Sequence, residues 1–144
     1  MNVRYVNFKL DANTRAPYKK HIGDAGWDLF VSRDCDIPAG ATVDVHTDIR
    51  IEMPPYMFAR IVGRSSTLRK HGLLVNEGII DNGYTGELFV GIHNLTDKKF
   101  HVKKGMRLAQ IIFHPIEDVR WSEVDEIKPK VGSRGNAGFG STGE

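Results

Sequence analysis

Apolar residues in this chain return at every second position, in short runs that turn-forming residues interrupt. Residues 43–53 read VDVHTDIRIEM, 57–63 MFARIVG and 86–95 GELFVGIHNL. VNFKL (6–10), FHVKKG (100–105), LAQIIFHPI (108–116) and VRWSEVDEI (119–127) continue the pattern. Alternation of period two places one set of side chains on a single face of an extended strand, which a core can then cover. Between the runs lie IPAG (37–40), MPPY (53–56), DNGYTG (81–86) and LTDKK (95–99). These are the residues that supply turns. Many short strands with close-set turns predict an all-β fold, as a sandwich, jelly roll or barrel. The one predicted helix covers residues 65–72, where Ser65 or Ser66 can cap its start and Gly72 can close it in a left-handed turn.

A chain of 144 residues with 40% hydrophobic content suits one domain with a proper core. We expect that domain to span residues 1–131, followed by a separate glycine-rich segment, 132–144. Lysine and arginine nearly balance aspartate and glutamate, leaving a formal net charge of +2. That argues against a dedicated nucleic-acid binder, which needs concentrated positive charge to meet phosphates. The lysines at 98, 99, 103 and 104 read as solubilising residues on an exposed edge. Cys35 is the only cysteine, so no internal disulfide forms and a reducing, cytoplasmic setting is expected. The opening MNVRYVNFKL contains no signal-like apolar run, and no stretch is long and apolar enough to suggest a membrane partner.

No HExxH, CxxC, Walker lysine motif or G-x-S-x-G elbow is present. Three clusters carry chemistry instead. GRSST (63–67) stands at a strand end opening the short helix, where free N–H groups, two hydroxyls and Arg64 offer a seat for phosphate. The competing reading is a plain cap with a surface arginine. GIIDNGYTGEL (78–88) delivers one carboxylate, Asp81, from an apolar run into a tight turn, with Tyr84 following. An ordinary turn would look the same, but a rigidly held carboxylate can orient and deprotonate water. RGNAGFGSTG (134–143) combines Arg134, several glycines and Phe139, a composition that suits a lid with phosphate-binding and base-stacking parts. Its alternative is a disordered tail.

DAGWDL (24–29), GRSST, GIIDNGYTGEL, KGMRLAQIIF (104–113) and RGNAGFGSTG resemble the five ordered motifs of the trimeric dUTPase family, across almost the whole chain. The resemblance implies a jelly-roll-like β fold with one short helix, a homotrimer with three active sites at subunit interfaces, and hydrolysis of dUTP to dUMP and pyrophosphate. That reaction limits uracil incorporation into DNA and supplies dUMP for thymidylate synthesis. By the resemblance, Asp81 positions the attacking water and Tyr84 packs beneath deoxyribose. Asn76, Gly78 and Ile80 belong to the hairpin that reads uracil. Arg64, Ser65, Ser66, Gln110 and Arg134 contact phosphates, and Phe139, Gly140 and Ser141 belong to the lid. Asp28 meets Mg2+ through water, the ion being held mainly by the substrate phosphates. The partners implied are dUTP and two further copies of the chain.

The second motif reads RSS where many members have RSG, and residues 71–81 form a shorter segment than is usual. A dCTP deaminase shares the fold and similar motifs, but needs a glutamate ten positions beyond the turn aspartate, where this chain has Gly91. A catalytically silent nucleotide-binding protein on the same fold is the alternative from a different class. Intact Asp81, Tyr84 and Phe139 speak against it.

Overall fold

The structure, a computed structural model, describes residues 2–138 and 140. Ten strands and one helix follow in the order β1 (Asn7–Leu10), β2 (Trp27–Leu29), β3 (Cys35–Ile37), β4 (Thr42–Glu52), β5 (Met57–Gly63), α1 (Ser65–His71), β6 (Leu73–Val75), β7 (Gly78–Ile80), β8 (Glu87–Asn94), β9 (Phe100–Val102) and β10 (Ala109–Pro115). The fold is all-β, as the alternation predicts. One antiparallel sheet has the order β1-β4-β8-β6, a second β2-β10-β5-β7, and β3 pairs with β9.

Alternation becomes burial along each strand. Leu88, Val90 and Ile92 of β8 face inward, as do Met57, Ala59 and Ile61 of β5 and Ala109 and Ile111 of β10. They meet in one core with Leu29, Ile37, Val45, Ile49, Leu73 and Val102. Fully burying a side chain of this size contributes on the order of 2 kcal/mol, which is what holds such short strands together.

Strand β4 departs from regular pairing. Its register against β8 passes from His46↔Phe89 to Arg50↔Glu87, so four steps on β4 match two on β8. Inside this bulge Asp48 takes a left-handed φ of 51°, uncommon for a residue with a Cβ. Helix α1 ends as expected at Gly72, whose φ is 64° and whose N–H donates to the Leu68 carbonyl. Its start differs from expectation. The N-cap is Arg64, with no side-chain cap bond, and Ser65 and Ser66 lie within the first turn. The helix is held instead by Thr67, whose buried hydroxyl donates to the Leu108 carbonyl at 2.7 Å.

The expected strand at 119–127 is absent from the described chain, where residues 115–136 are exposed throughout and Trp121 is 100% accessible. Its alternation has no surface within the chain to bury against, and a strand without a partner leaves its backbone groups to water. Among the described residues, no helix is long and apolar enough to cross a membrane.

Candidate active site

Two separate clusters gather the expected site residues. The first lies where β2, β10 and the start of α1 converge. Asp28 is opposite Gln110 in the β2–β10 register, and Gln110 is opposite Val62 on β5. The Asp28 carboxylate is held between two guanidiniums, Arg64 Nε at 2.9 Å and Arg107 Nη1 at 3.2 Å. Arg64 also donates from Nη1 to the Arg107 carbonyl at 3.0 Å. Gln110 donates to the Gly63 carbonyl at 3.2 Å, and Gly26 leaves the space its side chain occupies. A Cβ at position 26 would collide with that amide.

These groups and Ser65 line an open cavity of about 460 Å3, together with Tyr18, Lys19, Lys20 and Asp24. Four cations face two carboxylates there, which leaves the cavity net positive and suited to a polyanion. Ser66 is on the helix but is not part of that lining. Arg107 escaped the sequence reading. Its position in KGMRLAQIIF, three residues before Gln110, was the available signal.

The second cluster lies at the far end of the antiparallel β5–β7 pair. Gly78 pairs with Ile61 and Ile80 with Ala59, after which the chain turns at Asp81. The turn is closed by the Tyr84 N–H donating to the Asp81 carbonyl at 3.1 Å, with Gly83 at φ 93°. That positive φ at the third turn position is why glycine is required there. The Asp81 carboxylate is exposed and lines a cavity of about 240 Å3 with Ile79, Ile80, Tyr84, Glu87 and Phe89. Tyr84 is fixed by its hydroxyl, which donates to the Glu87 carbonyl at 2.8 Å, and Gly86 leaves room for the ring.

Glu87 reaches back to His46 Nδ1 at 2.8 Å. With Asp48 these two bring a nitrogen and carboxylate oxygens within 4.8 Å of one another, a donor set of the kind divalent ions use. Asp48, however, is already engaged. Arg33 donates to both of its oxygens at 2.7 and 2.9 Å, and Ser32 donates at 2.6 Å. The Arg33 bonds, followed by that of Ser32, hold the Asp48 carboxyl well below the usual carboxylate range. Burial, and then the nearby Asp48, pushes Glu87 up.

Three expected residues lie away from both clusters. Asn76 donates its N–H to the Gly91 carbonyl at 2.8 Å, and its side chain lies across Gly91 of β8. Arg134 turns back on its own loop, donating to the Ala137 carbonyl at 3.0 Å. Gly140 has a left-handed φ of 84°. Phe139 and Ser141 lie outside the described residues.

The two clusters flank a single strand. Asp81 follows Ile80, so it extends the line of β7 toward Phe58 of β5, six residues from Arg64. At the rise of an extended strand this is a separation of about 20 Å.

Comparison with known proteins places the chain. A family model described as dUTPase matches residues 12–143. The deoxyuridine 5'-triphosphate nucleotidohydrolase of Clostridium kluyveri is 42% identical over 137 residues, covering 94% of each chain. Among solved structures, the Staphylococcus bacteriophage 80alpha dUTPase with dUPNHPP is 26% identical. It superposes with a TM-score of 0.89 over 99% of this chain and 100% of the other. A mutant dUTPase from phage phi11 of S. aureus, described with a structural Mg(II) ion, has the same fold. Its TM-score is 0.81 at 22% identity, over 87% of this chain and 99% of the other. The chain belongs to the dUTPase family.

Proposed function

We propose that this chain hydrolyses dUTP to dUMP and pyrophosphate in an active site assembled from neighbouring copies of a homotrimer. The observation that carries the reading is the separation along β5. A positive, hydroxyl-bearing seat occupies one end and an exposed carboxylate on a tight turn occupies the other, about 20 Å away. A carboxylate that activates water at the α-phosphorus must work within hydrogen-bond reach of the phosphate being held. One copy therefore supplies the Asp81 turn and another supplies the seat. Two bared surfaces support such an assembly. One is an apolar groove of about 310 Å3 lined by Tyr5, Phe8, Trp27, Leu88 and Phe113, and the other is the exposed run of Val119, Trp121, Val124 and Ile127.

In this reading Asp81 orients a water molecule and accepts its proton, a contribution of roughly 10²–10⁴ in rate, with alignment toward phosphorus supplying more. Tyr84, held against the Glu87 carbonyl, fills the space a 2′-hydroxyl would need. Backbone groups of Gly78 and Ile80 face the base. Arg64, Ser65, Ser66 and Gln110 hold the phosphates in the seat, and Asp28 keeps the Arg64 guanidinium aimed. Arg134, Phe139, Gly140 and Ser141, in a lid covering 132–144, close over the nucleotide of a neighbouring copy.

The cofactor proposed is Mg2+. Asp28 and Asp24 give the seat a carboxylate pair, too few oxygens for an all-protein cage but suited to an ion that keeps waters and binds substrate phosphates. When bound, the ion neutralises charge on the phosphate oxygens. We place the enzyme in the cytoplasm, consistent with its single, unpaired cysteine.

The test is pyrophosphate release from dUTP, dTTP, dCTP and UTP, with Mg2+ and with chelator. Fast, Mg2+-dependent release from dUTP alone is expected. Release from none of the four would remove the assignment, and ammonia release from dCTP would replace it with a deaminase. Truncation after Val131 should abolish turnover while the assembled state, read by sedimentation, is kept.

A further inference from the structure

We propose that Asn82 is the positioning residue that holds the Asp81 turn in register with the rest of the molecule. This rests on the reading of Asp81 as the group that places water. The backbone ladder between β5 and β7 ends at the pair Ala59↔Ile80. Beyond it the two strands would be free to splay just where the carboxylate must be fixed. The Asn82 side chain takes over from the ladder. Its amide nitrogen donates to the Met57 carbonyl at 2.9 Å and to the Pro54 carbonyl at 2.8 Å. Both partners are acceptors only, so the nitrogen must face them and the amide has one usable orientation.

What Asn82 grips is itself anchored. Met53 and Met57 are buried in the core, and two prolines between them restrict the backbone. Tyr56 holds a left-handed φ of 61° while its carbonyl accepts the Ile116 N–H at 3.0 Å. Arg4 also donates to this loop, at Pro55. A residue adjacent to Asp81 in the chain thus ties it to a loop fixed by the core and by the end of β10. On the other side, the Tyr84 N–H to Asp81 carbonyl bond closes the same turn. Asn82 is exposed and lines neither cavity, so in this proposal it acts through Asp81 rather than on substrate.

The test compares Asn82→Ala, Asn82→Ser and Asn82→Asp in steady-state dUTP hydrolysis by the full-length enzyme, with kcat normalised to assembled protein. Misplacing a catalytic group by a fraction of an ångström costs rate more than binding, so Asn82→Ala should lower kcat about tenfold and leave KM within about twofold. Asn82→Asp sets a carboxylate against two carbonyl oxygens and should fall below the alanine variant, although it is nearly isosteric. Asn82→Ser, with one donor, should fall between wild type and alanine. A purely structural asparagine would lower the melting temperature of all three and leave kcat of the assembled enzyme unchanged. That result overturns the proposal, as does a rise in KM with kcat preserved. Asp81→Asn in the same assay separates the two assignments. If it keeps near wild-type turnover, the Asp81 reading itself fails. If it loses turnover while all three Asn82 variants keep theirs, only the role of Asn82 fails.

Discussion

The two ends of β5 are built by opposite means. At the Gly63 end, charged side chains set the geometry. Asp28 lies between Arg64 and Arg107, Arg64 is tied again to the Arg107 carbonyl, and two lysines stand nearby. At the Met57 end, backbone and neutral groups do so, through a closed turn with Gly83 at positive φ, a tyrosine hydroxyl on a carbonyl, and an asparagine amide on two carbonyls. The difference fits the role proposed for each end. A polyanion is held by charge, which tolerates some freedom of approach. An attacking water requires geometry within a fraction of an ångström, which neutral hydrogen bonds on a closed turn can supply. In the proposed function each end needs the other, which lies out of reach along its own strand.

The largest effect should come from the geometric end. Asp81→Asn removes the proposed proton acceptor while keeping shape, and kcat should fall by roughly 10²–10⁴ with binding of a non-hydrolysable dUTP analogue preserved. Stopped-flow turnover and calorimetric titration read the two quantities separately. At the charged end, Arg64→Ala should lower kcat/KM by about 10²-fold, partly through binding, and the loss should depend on salt because the seat works by charge. Equal effects on binding from both substitutions would erase the distinction drawn between the ends.

The smallest effect on activity should come from the bulge behind the hairpin. Asp48→Ala deprives Ser32 and Arg33 of their acceptor and should cost about 2 kcal/mol in denaturant unfolding, with kcat unchanged. Asp48→Gly should cost about 1 kcal/mol less, because the left-handed backbone there penalises a Cβ. The sign with pH is fixed by the depressed Asp48 carboxyl. Its contribution is present above the ordinary carboxylate pKa of about 4, and is lost as pH falls below that value. The stability gap between wild type and Asp48→Ala should therefore narrow from about pH 5 toward pH 2.

The strands at 43–53, 57–63 and 108–116 can be read directly, because each buries one face within the chain and so alternates over most of its length, β4 breaking the pattern only at its bulge. The helix was legible from Gly72 but not from its serines, since Thr67 and not a cap fixes it. The three-residue strands β2, β3, β6 and β7 are too short to show a period, and tertiary pairing alone defines them. Residues 119–127 mislead for the converse reason, having a strand pattern without a surface in the same chain to satisfy it. Asp28, Arg64, Ser65 and Gln110 were found because their motifs resemble a family's, and the structure brings them to one cavity. Arg107 and Asn82 do not stand out in the sequence, because what singles them out is what they bond, Asp28 in one case and two distant carbonyls in the other. No local pattern encodes that.

In the proposed enzyme, Asp81 and Arg64 serve one active site from different copies of the chain. Asp81→Asn and Arg64→Ala, each strongly impaired alone, should be mixed in equal amounts, unfolded together and refolded. With random assembly, roughly a quarter of sites receive an intact Asp81 from one copy and an intact Arg64 from another, and about that fraction of wild-type dUTP hydrolysis should return. A mixture no more active than its two components would mean that a single copy supplies both residues, and the account of a shared site would be wrong.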